Sequence, residues 1–284
     1  MMIRLYLFQC IVVTLFTSLV FAFQTENFSA KGLKELHLKN LSGDVVITAS
    51  KSNQLKVDYE KIKFSEHCSL AVDKKPESIW IEVKKNKKPW GEDCKVNFEI
   101  SLPKKTDMEI NIGSGNLNII GVEGESKINI GSGDLSYKAA WIDEITVKSG
   151  SGDINIHGLA GEVDILTGSG DVDLDYAEHA VPASLVLRSG SGSIAAKGLK
   201  GDTDIITGSG SIELSYNQKL QDKGEISIKS GSGDAKIHFP KSLSAVKVDH
   251  KAASGRVKSD IAQKDDAAWS IYMRSASGDL KIIQ

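Results

Sequence analysis

A glycine triplet that returns about every twenty residues constrains this 284-residue chain more than any other feature. It stands at Gly113-Ser114-Gly115, Gly131-Ser132-Gly133, Gly150-Ser151-Gly152, Gly168-Ser169-Gly170, Gly190-Ser191-Gly192, Gly208-Ser209-Gly210 and Gly231-Ser232-Gly233. Degenerate copies follow at Gly255 and Gly278, and an isolated earlier one, LSGDVVI, contains Gly43. Taking the second glycine as anchor, the steps from Gly115 onward are 18, 19, 18, 22, 18, 23, 22 and 23 residues. Of the 26 glycines in the chain, 17 lie in these units, so glycine here is architectural rather than scattered.

Side-chain parity tells what the triplet does. In EINIGSGNLNI the apolar positions are Ile110 and Ile112, then Leu117 and Ile119. An odd number of residues separates Ile112 from Leu117, so an unbroken strand would point them to opposite faces. The same arithmetic holds for Ile128 and Ile130 before Leu135 and Tyr137, and for Val163 and Ile165 before Val172, Leu174 and Tyr176. The chain must therefore bend within Gly-Ser-Gly so that both half-strands face one core. Glycine suits such a corner because it adopts positive φ without a Cβ penalty. Each corner serine keeps the parity of the preceding core pair, which predicts an inward serine stacked over the serine of the next unit.

A second punctuation lies between some copies, as in HGLAGEVDI from His157 and KGLKGDTDI from Lys197, while YAEHAVPASLVL and YNQKLQDKGEISI form longer links. Units of this size with two short strands each predict an all-β parallel β-helix or solenoid with GSG(D/S/N) corners. The alternative is two packed sheets with a double repeat of about 40 residues. Helix is confined to the N-terminal segment and AQKDDAAW, the one later stretch with a helical pattern.

GSGD has three chemical readings. A phosphate loop needs a following lysine or a helix N-terminus, whereas every copy here runs into an alternating strand such as DINI or DVDLDY. Calcium would use Asp134, Asp153, Asp171, Asp234 and Asp279, but calcium repeats recur every nine residues, and Asn116, Ser193, Ser211 and Arg256 replace the acid in other copies. Small polar residues bonding the local backbone at a corner account for all variants. No cofactor and no metal are therefore expected.

Catalysis would need a carboxylate cluster. DVDLDY places Asp171, Asp173 and Asp175 on one outward face, Asp202 and Asp204 form another pair, and Arg188 is one of few arginines available as a partner. An outward acidic ladder is a solvated face in the simpler reading, the links are too short to wall a cleft, and GSGSG spaces its serines wrongly for a nucleophile elbow. The six histidines are dispersed. A non-enzymatic protein follows.

The chain opens MMIRLYLFQCIVVTLFTSLVFAFQ, in which Arg4, the apolar run Leu5 to Val20 and Val20-Phe21-Ala22 have the layout of a cleaved secretory signal over residues 1–22. No second apolar run of membrane length follows. Cleavage removes Cys10 and leaves Cys68 and Cys94, which in an oxidising compartment predicts a disulfide stabilising by about 3–4 kcal/mol. Zinc is the alternative, with only His67 beside either cysteine. Residues 23–105 carry a balance of +4, including the lysine-rich tip KKNKKPW at Lys84 to Trp90, and residues 106–284 a balance of −7. That break predicts an N-terminal β region over 23–105 and the repeat region over 106–284. The net charge and export disfavour nucleic acid.

The run ISLPKKTDMEINIGSGNLNI, followed by TGSGDVDL and TGSGSIEL, resembles the bacterial β-strand-repeat "putative adhesin" family of unknown function, and more distantly the head domain of auto-transporter adhesins. The resemblance covers about residues 30–284. It implies a β-solenoid in the cell envelope and carries no catalytic residues to transfer. The expectation is an exported binding or scaffold module, in the periplasm or at the cell surface, whose partner is an envelope protein or polysaccharide. A polysaccharide-active enzyme and an envelope-stress sensor are the competing classes.

Overall fold

The computed structural model describes residues 23–52, 54–86, 94–181 and 183–284. The expected signal segment and most of the KKNKKPW tip lie outside the described residues. Among these residues the chain forms 24 strands and no helix. AQKDDAAW departs from its helical pattern: Ala262–Gln263 is a short strand and the residues after it turn.

Each unit lays one strand before its glycine triplet and one after, and both stack in parallel on their counterparts in the next unit. Asp107–Ser114 pairs with Ser126–Ser132, which pairs with the second half of Leu135–Ser151, then that of Ile154–Ser169, Leu185–Ser191, Thr203–Ser209 and Gly224–Ser232. The strands after the triplets form a second ladder from Leu117–Ile120 to Ala235–His238. The corner serines keep register from Ser114 through Ser132, Ser151, Ser169, Ser191, Ser209 and Ser232. The stacking repeat is thus the single unit, and its uneven length is taken up by links such as residues 217–223. The result is a parallel, solenoid-like core.

Both half-strands of each unit do face that core. Ile110, Ile112, Leu117 and Ile119 are all buried, as are Ile128, Ile130, Leu135 and Tyr137, despite their opposite parity. Each such aliphatic side chain removed from water contributes roughly 1.5–3 kcal/mol, and the contribution recurs on every rung.

The ladders run without a break across residue 105, where composition predicted a boundary. Glu35–Ser42 pairs with Asp107–Ser114, and Val45–Ala49 with Leu117–Ile120. The intervening residues build the end of the solenoid: Ser78–Lys85 and Lys95–Leu102 stack in parallel outside this rung. Cys68–Lys74 and Gln54–Lys63 then close it antiparallel, and Gln24–Ser29 pairs onto the latter. Cys68 and Cys94 are disulfide-bonded with Cα atoms 5.7 Å apart, tying the outer hairpin to the parallel rung beneath. Thiol labelling of the denatured, non-reduced protein without its first 22 residues is expected to find no free cysteine; two labelled thiols would refute the bond.

At the other end chain order and spatial order differ. Trp269–Ser277 pairs with Gly224–Ser232 on one side and with Ala245–Ser254 on the other. Leu280–Ile283 likewise sits between Ala235–His238 and Val257–Ser259. The last unit in sequence is therefore the penultimate rung, and the unit containing Gly255 closes the stack.

Candidate functional site: corners and outer ladders

The two glycines of a triplet are required for different reasons. The second lies at positive φ, +133° at Gly115 and +116° at Gly170. A Cβ at Gly170 would also sit 2.2 Å from the Gly152 carbonyl oxygen of the preceding rung. The first has ordinary φ, but a Cβ on Gly168 would stand 2.5 Å from the Gly150 carbonyl oxygen. The rungs stack closely here because neither position has a side chain.

The corner serines expected inward are not part of the buried core. Ser114, Ser151, Ser169, Ser191 and Ser209 are half-buried, and Ser132 and Ser232 exposed. Each serine keeps its place in the ladder at the turn of the chain, where its side chain is only partly covered, and Ser114 Oγ donates to Ser42 Oγ of the neighbouring rung at 3.2 Å. The inward polar column lies two residues earlier, at buried Ser149, Thr167, Ser189, Thr207 and Ser230. Thr167 Oγ1 donates to the Ser169 carbonyl at 3.1 Å, and Ser189, Thr207 and Ser230 donate to Ser191, Ser209 and Ser232 at 3.0–3.1 Å. Sequence offered the signal: from KSGSG at Lys148 onward, the residue before the first glycine is serine or threonine through Ser230.

The acidic residue after the triplet reaches the neighbouring rung rather than its own backbone. Asp44 Oδ1 accepts the Asn116 N–H, Asn116 Oδ1 that of Asp134, Asp134 that of Asp153, and Asp153 that of Asp171, each at 2.9 Å. Asp171 accepts the Ser193 N–H at 2.7 Å. The ladder lapses at Ser193 and Ser211, whose side chains are one atom shorter, and resumes from Asp234 to Asp279 and from Asp279 to Arg256. The Arg256 N–H, with its guanidinium, holds the Asp279 carboxyl below the usual carboxylate range. Asparagine replaces aspartate freely because the ladder needs an acceptor oxygen, not a charge. Asp153→Ala is therefore expected to cost about 0.5–1.5 kcal/mol and Asp153→Asn almost nothing, with calcium altering neither melting midpoint. Equal losses in both variants, or rescue by calcium, would refute the ladder.

Asp173 and Asp175 share the outward face expected of them, but the other acids that catalysis would need, with Arg188, are split between a link and the other ladder. Asp173 and Asp175 lie on the ladder after the triplets, with His157 Nδ1 at 3.6 Å from Asp175. Asp202 is engaged in a link, accepting from Gln221 Nε2 and the Glu225 N–H at 2.9 Å. Asp204 and Arg188 belong to the other ladder, where Arg188 approaches Asp164 at 3.7 Å. Among the described residues no group of three His, Cys, Asp or Glu side chains is arranged to hold a metal ion. His67 stands beside a Cys68 whose sulfur is already bonded to Cys94. Among the described residues no helix is long and apolar enough to cross a membrane.

The outer surface of the ladder before the triplets carries a shallow groove of about 500 Å³, lined by Lys39, Leu41, Asn111, Asn129, Lys148 and Leu166 over the exposed first glycines.

A family model described as Toastrack DUF4097 matches residues 33–283. Among solved structures, a "putative adhesin" from Bacteroides fragilis is similar at 13% identity and a TM-score of 0.45, with 92% of this chain and 97% of that one covered. A "putative cell adhesion protein" from Clostridium sporogenes is similar at 15% identity and a TM-score of 0.21, covering 93% and 100%. A "putative lipid binding protein" from Parabacteroides distasonis is similar at 16% identity and a TM-score of 0.41, covering 90% and 96%. No curated protein matches the chain.

Proposed function

Because the chain belongs to the Toastrack DUF4097 family, we propose that it is an exported, non-enzymatic binding or scaffold module of the cell envelope. In this reading it is a parallel β-helix with GSG corners, its signal segment removed, in the periplasm or at the cell surface. Residues 23–105 form the N-terminal β region with the disulfide, its Glu35–Ser42 and Val45–Ala49 strands already in the ladders, and residues 106–284 the GSGD repeats. The observation that carries the proposal is how the acids are used. The corner carboxylates hold the next rung's N–H groups, and the remaining acids are divided between two outer faces. What the solenoid offers a partner is a long regular surface of side-chain columns rather than a walled cleft. Export fits a disulfide between two widely spaced cysteines.

Mild crosslinking in intact envelopes followed by capture of this chain tests the reading. A discrete envelope protein or polysaccharide that fails to crosslink to the reduced, unfolded chain is expected. Recovery of the chain alone, or turnover of envelope polysaccharide by the pure protein, would overturn it.

A further inference from the structure

We propose that the outer face of the ladder before the triplets binds an extended acidic polysaccharide carrying one carboxylate per disaccharide. The proposal rests on the binding-module reading above and names its partner class. Five side chains carry it. Lys148, Leu166, Arg188, Ile206 and Lys229 are direct cross-strand neighbours on five successive rungs. Cation and aliphatic group therefore alternate over these five rungs, bounded by Asn129 on one side and Arg274 on the other. All five are exposed, Leu166 by 48% and Ile206 by 37%, although nothing in the fold requires an apolar residue on that face.

The spacing selects the ligand. Paired strands stand about 4.8 Å apart, so a cation recurs every ~9.6 Å with an aliphatic side chain midway. An extended pyranose chain advances by close to one rung spacing per sugar. Alternate sugars then bring a carboxylate to Lys148, Arg188 and Lys229, while those between lay their apolar C–H faces on Leu166 and Ile206. Beside this column run the first glycines, Gly150, Gly168, Gly190 and Gly208, which are exposed and leave room for a sugar ring against the backbone. The groove described above is the same trough continued toward Lys39.

The charges around the column agree with a half-charged chain. Lys148 and Lys229 make no ion pair among the described residues. Arg188 has an exposed contact with Asp164, and such contacts hold a side chain weakly. Asp164 and Asp204 occupy the adjoining outward column, flanking Val186. They are placed to accept sugar hydroxyls and to repel a chain with a carboxylate on every sugar. On the opposite face Lys236, Lys281 and Lys258 also stack, but Lys236 is already held by Glu213 at 3.0 Å and no apolar residue alternates with them.

The test is binding of a fluorescent octasaccharide of alternating glucuronate and N-acetylglucosamine to the protein lacking residues 1–22, followed by polarisation. Saturable binding is expected, weakened about tenfold or more by Lys148→Glu with Lys229→Glu, and similarly by Leu166→Asp with Ile206→Asp. Lys236→Glu with Lys281→Glu should leave it within about twofold. Unchanged melting midpoints keep all variants comparable. An octagalacturonate and a neutral N-acetylglucosamine oligomer should each bind about tenfold more weakly. No saturable binding, equal loss from the opposite-face pair, or equal affinity for octagalacturonate would each overturn the proposal. Envelope capture that persists in the Lys148→Glu, Lys229→Glu protein would then leave the binding-module reading standing without this groove.

Discussion

Replacing Gly170 with alanine is expected to lower the unfolding free energy by about 2–6 kcal/mol. Two independent costs meet there. A residue with a Cβ at φ +116° is strained by roughly 1–3 kcal/mol. The added methyl would also stand 2.2 Å from a backbone carbonyl oxygen that cannot move without pulling the Gly152 rung with it. Relieving that clash means parting two rungs, an overpacking cost of a further 1–3 kcal/mol or so. Gly168→Ala should cost less, since its φ is ordinary and only the close approach is at issue. Ser169→Ala should be nearly neutral, because that side chain is half-exposed. Urea unfolding of the three variants measures the order. If Gly170→Ala is no worse than Ser169→Ala, the corner geometry is wrong.

That contrast marks where sequence reasoning succeeded and where it stopped. The placement of Ile112 and Leu117 on one core was legible because side-chain direction alternates strictly, and an odd interval forces a bend. The same parity rule, carried into the bend, predicts an inward Ser169, yet that side chain is only partly covered and Thr167 is the buried hydroxyl. The aspartate bonds were invisible for a different reason. Sequence displays neighbours along the chain, and a corner acid finds its partner one rung away, 18 residues along between Asp153 and Asp171.

Ladder order was less legible still. Units with the same period and the same apolar pattern are interchangeable as stacking partners, so nothing local orders the Gly255 and Gly278 units. The displacement at the other end has the same origin: Ser42 and Ser114 touch across 72 residues because an entire capping segment leaves and returns between two adjacent rungs. The cation and aliphatic column is not legible in the sequence because its members are 18 to 23 residues apart and align only once the strands are in register.

The inverted order of the last two rungs makes Trp269 the side chain whose truncation should cost most, about 3–5 kcal/mol for Trp269→Ala. It opens the inserted strand Trp269–Ser277 and is only 1% exposed. Its ring meets Tyr216 and Phe239 edge-on at 5.1 and 5.7 Å, contacts that add to the area buried. Its Nε1 donates to the Gln221 carbonyl at 3.2 Å and so fixes a long link. Gly224 fits beneath the ring, where a Cβ would lie 2.5 Å from it. Deleting the indole removes the wedge that joins three units and leaves a cavity that the rigid rungs cannot collapse to fill. The loss should spread, because in parallel stacks each rung is held by its neighbours. Ala245–Ser254 pairs with the inserted strand along most of its length, so loosening residues 269–277 releases the terminal rung as well. Hydrogen exchange of the Trp269→Ala protein should therefore accelerate together over residues 245–254 and 269–283, while residues 107–169 keep their protection. Acceleration confined to the mutated strand, with Val246 and Val248 still protected, would show that the terminal rung does not depend on the unit inserted before it.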